Sequence, residues 1–306
     1  MGVSLSELSI RVSRWVGGNN KTRIMLRAGA ITLCGGLLFS ATTTAGVAAA
    51  GPGGTGTSGT DLAQILLSPS LSGSKYGDLL GVDQSGTLVR CSASQGVALS
   101  KRTNVAAGWA DLVPYAPGDW NRDGKNDVIG VDVKSGKMFL YPGNGQGGLG
   151  KAVQIGQGWG DFRIIPAGDL TGDGVIDLLA IKKSSGDLFL YAGNGKGGFK
   201  YPYPKVGNGW RGYDLHAAGD TSRDGKSDVL SVDSAGDLFF YAGKGNGTFT
   251  KKLQVGYGWK GYLLAAGADL NGDRIADVVS LDSNGQLSFY MGGGGGQFLR
   301  KITLTC

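Results

Sequence analysis

The chain has 306 residues, 41% of them apolar, enough for the core of one sizeable domain or two small ones. Its 58 glycines keep no every-third-residue period, which excludes a collagen-like chain. Residues 1–50 carry Arg11, Arg14, Lys21, Arg23 and Arg27 against Glu7, so they hold +4 of the formal charge of +6; the +2 left for the remainder takes away most of the support for a nucleic-acid-binding protein.

Residues 1–50 are predicted to be a signal peptide. A basic stretch ends at Arg27, an uncharged segment runs from Ala28 to Ala50, and Ala48, Ala49 and Ala50 offer small residues for cleavage. The alternative is an uncleaved anchor, since the segment is just long enough to span a bilayer. Its Thr/Gly/Ala-rich second half suits a lipid-facing helix poorly, so cleavage, secretion and no stable membrane span afterwards are expected. Residues 51–61 read as a flexible linker. Beyond Glu7 every acidic residue is an aspartate, a short carboxylate that fits tight turns and oxygen-lined loops.

Residues 62–306 carry an internal repeat. Trp109, Trp159, Trp210 and Trp259 each follow a glycine and are followed ten residues later by Asp119, Asp169, Asp220 and Asp269. These aspartates open the nonapeptides DWNRDGKND, DLTGDGVID, DTSRDGKSD and DLNGDRIAD. An apolar run follows each, then a turn, an alternating run such as Phe139-Leu140-Tyr141, a glycine-rich turn and one more strand-like run. A fifth, degenerate copy comes first, with Ser70, Ser72 and Ser74 at the loop positions and Asp78 at its end. About four short strands in each repeat of about 50 residues predict an all-β fold, a β-propeller of about five four-stranded blades. The ring is predicted to begin with an inner strand near Ala63 to Leu67 and to end with an outer strand near Phe298 to Leu304. Blades one and five then meet without an exchanged strand, and a disulfide between Cys91 and Cys306 is expected to pin that seam.

Each nonapeptide sets oxygen side chains at its first, third, fifth and ninth positions, with a backbone carbonyl available at the seventh. Calcium takes six to eight hard oxygen ligands in a flexible shell and fits this donor set. The predicted ligands are Asp119, Asn121, Asp123, Lys125 (carbonyl) and Asp127; Asp169, Thr171, Asp173, Val175 (carbonyl) and Asp177; Asp220, Ser222, Asp224, Lys226 (carbonyl) and Asp228; and Asp269, Asn271, Asp273, Ile275 (carbonyl) and Asp277. Glycine at position six of three loops permits the sharp bend, and Arg274 in the fourth is expected to distort its loop or weaken its metal. An EF-hand fails because Gly130, Ala180, Ser231 and Ser280 stand where its Glu would be. Ion-free Asx-turns are the competing reading.

The nonapeptide followed by an apolar strand, in register over residues 70–306, resembles the FG-GAP/VCBS repeat family. That resemblance implies calcium-bearing propeller blades, as in integrin α-subunit heads and some bacterial and fungal lectins, with calcium at the same loop side chains. The serine-filled first loop departs from the pattern, and five copies rather than seven argue against integrin-like adhesion.

The expected role is binding. Trp109, Trp159, Trp210 and Trp259 either pack between blades or stack on sugars in the clefts, and the tyrosines Tyr141, Tyr191, Tyr241 and Tyr290 face the same choice. A glycan or a cell-surface protein is the expected partner. The run from Gly143 to Gly148 fits GxGxxG but joins strand to strand, so no nucleotide is expected. No enzyme activity is expected either: His216 is the one histidine, and the loop aspartates stand in metal spacing rather than as an acid–base pair. A protein-interaction surface is the runner-up. A carbohydrate-active hydrolase or lyase using Asp132, Asp187 or Asp214 is a distant third.

Overall fold

The computed structural model describes residues 62–94, 98–100 and 102–305. The chain divides into two units, Met1–Thr42 and Thr43–Cys306, and all described residues lie in the second. The signal and linker predictions over residues 1–61 lie outside the described residues.

The described residues form five four-stranded antiparallel sheets, the five blades of a β-propeller. Blade one is β1 (Leu62–Ser68), β2 (Asp78–Asp83), β3 (Leu88–Ser92) and β4 (Thr103–Ala106). Blade two is β5 (Leu112–Gly118), β6 (Asp127–Asp132), β7 (Met138–Tyr141) and β8 (Val153–Gly156). Blade three is β9 (Phe162–Gly168), β10 (Asp177–Lys182), β11 (Leu188–Tyr191) and β12 (Lys205–Gly207). Blade four is β13 (Asp214–Gly219), β14 (Asp228–Val232), β15 (Leu238–Tyr241) and β16 (Leu253–Gly256). Blade five is β17 (Leu263–Ala266), β18 (Val278–Leu281), β19 (Leu287–Gly294) and β20 (Gln297–Leu304). Every sheet uses four consecutive strands, so the ring closes without strand exchange, and the first and last strands fall within a residue of the prediction. Among the described residues there is no α-helix, only single 3₁₀ turns at Trp159–Asp161 and Trp210–Gly212.

Burial follows strand position. The second strand of each blade is covered on both faces, which is why it reads as an apolar run (VVSL in β18 is buried throughout). The third strand alternates, as in MFLY of β7. The fourth is a half-exposed edge. The core is not one mass but five clusters, one at each blade–blade interface. The seam between blades five and one is one of them: Leu67 and Leu79 of blade one pack with Leu270, Phe289 and Leu304 of blade five. The Gly77 amide donates across it to the Asp269 carbonyl at 3.0 Å. Cys91 is buried and disulfide-bonded; Cys306, its expected partner, lies outside the described residues. The inner strands surround a narrow axial cavity of about 80 Å³ lined by residues such as Tyr115, Ile165 and His216.

The Gly-Trp pairs serve the interfaces. The backbone N–H of Trp109, Trp159, Trp210 and Trp259 donates to the carbonyl of Gly86, Gly136, Gly186 and Gly236 in the preceding blade, at 2.8–2.9 Å. Each indole then lies against a tyrosine of the following blade: Trp109 on Tyr141 and Trp159 on Tyr191, both with centroids 4.7 Å apart, Trp210 on Tyr241 at 5.4 Å and Trp259 on Tyr290 at 4.9 Å. Of the two readings that the sequence leaves open for these tryptophans, packing describes Trp109 and Trp159, which are 1% and 6% exposed; Trp210 and Trp259 are half-buried. Trp159→Ala is therefore expected to cost about 3–5 kcal/mol in urea unfolding, the usual loss for a buried aromatic; a change under about 1 kcal/mol would remove the indole from the core.

Candidate functional site

The four aspartate loops sit at the corners between first and second strands, and all four fold in the same way. The first-position carboxylate turns back over its own loop. Asp119 Oδ1 accepts from the Asp123 amide at 3.0 Å and Oδ2 from Gly124 at 2.9 Å. Asp169, Asp220 and Asp269 repeat both bonds. The fifth-position carboxylate accepts from the amide of position seven, from Lys125, Val175, Lys226 and Ile275 in turn. At position three, Asn121 and Asn271 accept from the amides of Asp123 and Asp273. The side chains at positions one and five, and the asparagines at position three, are thereby aimed by the loop's own backbone.

Position nine behaves differently. Asp127, Asp177, Asp228 and Asp277 are wholly buried. Asp127 Oδ2 accepts from the amides of Trp120 and Asn121, and its Oδ1 from Gly143, which follows the third strand of the blade. Asp177 does the same with Leu170, Thr171 and Gly193; Asp228 bonds Ser222 and Gly243, and Asp277 bonds Leu270 and Gly292. Each ninth aspartate is thus a buckle between two turns. Sequence reasoning took it for a ligand alone and read the partner glycines only as turn residues. A signal was present in the recurring aromatic-x-Gly after each third strand. A Cβ on Gly143 would lie 1.9 Å from the Asn126 carbonyl oxygen, and on Gly193 2.1 Å from that of Ile176, so the amide reaches the carboxylate only from glycine.

A second missed feature is position four. Arg122 and Arg223 there have φ of 60° and 65°, and Gly172 and Gly272 are left-handed too. Arg274 at position six adopts φ 70° and its amide still reaches Asp269 Oδ2 at 2.8 Å. The expected distortion of that loop is therefore absent from its hydrogen bonding, and the residue itself carries the conformational cost of roughly 1–2 kcal/mol.

Burial pushes Asp127, Asp177, Asp228 and Asp277 above the usual carboxylate range despite their hydrogen bonds. Nearby carboxylates add to this: Asp123 acts on Asp127, Asp224 on Asp228, and Asp273 and Asp269 on Asp277, which is pushed up to about 7. Positive charge is already drawn to two loops. Lys200 Nζ lies 2.5 Å from Asp173 Oδ2, and Lys226 Nζ 3.5 Å from Asp224 Oδ2. Thr171 Oγ1 and Ser222 Oγ, at position three, are buried near the Asp177 and Asp228 carboxylates without hydrogen-bond geometry to any partner. Among the described residues no three carboxylate, imidazole or thiolate side chains are gathered on one point. A cation here would need a mixed set of carboxylate, amide or hydroxyl, and carbonyl oxygens, and the first, third, fifth and seventh positions supply such a set.

The first corner has no such set. Ser70 Oγ accepts from the amides of Ser72 and Ser74 at 3.2 and 3.1 Å, doing with a hydroxyl what the first aspartate does elsewhere. Asp78 keeps the buckle to Leu71 at 2.7 Å, and Arg90 Nη1 lies 3.7 Å from its Oδ2.

The remaining candidates do not converge. His216 Nε2 lies 3.1 Å from Asp214 Oδ2. Burial works to raise Asp214, but His216 and Arg163 together hold it below the usual range. Arg163 itself clasps the carbonyls of Tyr213 and Trp210 across the blade boundary. Asp187 pairs with Lys205 at 2.5 Å, and Asp132 caps its own turn.

These features define a five-bladed propeller with buckled, aspartate-rich corners. Residues 119–180 and 169–231, within blades two to four, match the model of the FG-GAP-like repeat. No curated protein matches the chain. Among solved structures, a triple arginine-to-alanine mutant of AofleA from Arthrobotrys oligospora shares the fold at a TM-score of 0.50 and 9% identity, over 85% of this chain and 94% of that one. An Agrocybe aegerita lectin described as recognising non-reducing terminal N-acetylglucosamine gives 0.47 and 23%, over 79% of this chain. The BP39L lectin from Burkholderia pseudomallei gives 0.45 and 16%, over 83% and 74%. The chain spans 65% of the Agrocybe lectin's length.

Buckle and ligand are separable by mutation. Asp177→Asn, measured in chelator, is expected to lose about 2–4 kcal/mol, because buried amides are left facing an amide donor. Asp173→Asn in chelator is expected to lose less than about 1 kcal/mol, as for a surface ion pair. Equal losses in denaturant titrations would contradict the division of roles.

Proposed function

We propose that this chain is a calcium-loaded binding propeller, exported from the cell and directed at cell-wall or extracellular glycans. The observation that carries the binding reading is where the polar and aromatic groups lie. The carboxylates are engaged in holding corners, whereas the rings of Tyr201 and Tyr257 are each 85% exposed. Tyr203, stacked on Tyr191 at 4.4 Å, continues the Tyr201 surface inward. Aromatic faces left in water suit the apolar faces of pyranose rings. The disulfide at Cys91 supports an oxidising compartment, and we assign its partner as Cys306. Catalysis is not part of the reading: the one histidine is tied to Asp214.

Calcium would be held by Asp119, Asn121, Asp123 and the Lys125 carbonyl with Asp127 behind them, and by the matching residues of the next three corners. It would supply charge neutralisation, with no part in chemistry. At free calcium ten-fold above Kd each site adds about 1.4 kcal/mol, and four independent sites about 5–6 kcal/mol. For a chain of this size that corresponds to a melting temperature about 10 °C or more higher than in chelator. Calorimetry with an unchanged melting temperature would remove calcium from the account. For the ligand, a glycan array read with and without calcium is expected to give binding that Tyr201→Ala weakens at least ten-fold while the melting temperature holds. An array on which no glycan binds would leave the glycan reading without support.

A further inference from the structure

One residue of the outer edge, just before the fourth strand in blades one, two and four, two residues before it in blade three and within β20 in blade five, occupies the same place in every blade. Cross-strand register fixes the equivalence: Arg90 faces Thr103, Leu140 faces Val153, Phe240 faces Leu253 and Phe289 faces Ile302, while the Leu190 amide bonds the Pro204 carbonyl. The preceding residues are Arg102, Ala152, Tyr203, Lys252 and Lys301. In four blades this side chain covers the face of its own sheet. Arg102 Nη2 meets Asp83 Oδ2 at 3.2 Å. Tyr203 stacks on Tyr191. Lys252 Nζ lies 4.2 Å above the Phe239 ring and 5.8 Å from that of Tyr213. Lys301 Nζ lies 5.7 Å from the Tyr290 ring. Three of the four covers are cations of the chain itself.

Blade two has Ala152 in this place, and the surface it fails to cover is the one that takes cations elsewhere. Phe139 and Tyr141 stand where Phe239 and Tyr241 stand, yet Phe139 is half-buried while Phe239, under its lysine, is 8% exposed. Asp132 stands where Asp83 stands. Its Oδ1 accepts from the amides of Lys134 and Ser135, both at 2.8 Å, just as Asp83 Oδ1 accepts from Ser85 and Thr87. Among the described residues no guanidinium pairs with Asp132 as Arg102 pairs with Asp83; the Ser135 hydroxyl lies beside its carboxylate and the Lys134 charge bears on it. Lys134, on the same turn, has its ammonium 2.6 Å from Asp111. Val153, next to Ala152, is 55% exposed on the edge strand.

We propose that the face formed by Phe139, Tyr141, Asp132 and Ala152 is a receptor for one alkylammonium group, the side chain of a lysine on a partner polypeptide. The aromatic faces supply the cation–π attraction that Phe239 supplies to Lys252, and Asp132 supplies the counter-charge. The edge of β8 leaves room for the partner's backbone alongside. The polypeptide source follows from the internal precedents, which are lysine and arginine side chains arriving from a neighbouring strand. This goes beyond the glycan reading and uses a different part of the surface from Tyr201.

The test is an NMR titration of the full chain with Nα-acetyl-lysine N-methylamide, with the norleucine analogue as the neutral isostere and glucosamine as an amino-sugar arm. Saturable shifts centred on Phe139 and Tyr141 are expected at about millimolar concentration, as for a single desolvated cation–π contact. Ala152→Lys, which installs the blade-four arrangement, is expected to weaken binding at least ten-fold with the melting temperature unchanged or raised. Asp132→Asn is expected to weaken it several-fold. Equal binding of the norleucine analogue, wild-type affinity in Ala152→Lys, or binding of glucosamine in preference to the lysine derivative would each overturn the proposal. Should Ala152→Lys fail to fold, Asp132→Asn and the neutral analogue decide the matter.

Discussion

A carboxylate with no exposed surface must find partners or lose its charge, and this molecule places one at each corner of the ring. Asp78, Asp127, Asp177, Asp228 and Asp277 are all wholly buried, and each draws loop amides onto its oxygens. In the last four the second oxygen holds a glycine amide, just past the third strand at Gly143, Gly193 and Gly243 and within β19 at Gly292, so one side chain ties the corner to the far end of the third strand. The aspartate loop outside the buckle can then be short and tightly bent because its base is anchored. Its first and fifth carboxylates are brought close to the buried one, and the corner acquires the negative charge that a hard cation would satisfy. In blade one the outer carboxylates are replaced by serines, and the charge left at Asp78 faces Arg90 instead. That substitution keeps the fold and leaves one corner without the outer carboxylates.

The ring follows from the same repetition. A single four-stranded sheet of this size exposes both faces, and here each face is covered only by the next blade, which is why the core divides into five interfacial clusters. The tryptophans lock those interfaces twice, once by a backbone bond to the preceding blade and once by ring contact with the following one. The last interface has no exchanged strand to hold it. It relies on apolar packing and on the bond from Gly77 to Asp269.

The architecture was legible because its determinants are local and periodic: the Gly-Trp pair, the aspartate ten residues on, and the change from an apolar run to an alternating one. What escaped depends on contacts between segments that are apart in sequence. The role of Asp127 as a buckle needs Gly143, 16 residues away, and nothing in the nonapeptide separates a buried carboxylate from a ligating one. The left-handed position four is hidden because arginine occupies it in two loops and glycine in two. Arg274 drew the expectation of a distorted loop or a weakened metal, since a glycine is missing there; the backbone keeps its shape and the residue takes the strain. The meaning of Ala152 emerges only once register aligns it with Arg102, Tyr203, Lys252 and Lys301, because a one-residue insertion in blade three hides the equivalence.

Two loop aspartates and a buried one stand at each of four corners in different degrees of pairing, and a single aspartate stands at the fifth, opposite Arg90. Counting metal directly is the sharpest check: native mass spectrometry of the purified protein at millimolar calcium. The account predicts a limiting stoichiometry of four ions per chain, falling to three when both Asp169 and Asp173 are changed to alanine. A chain that retains no ion under these conditions would contradict it.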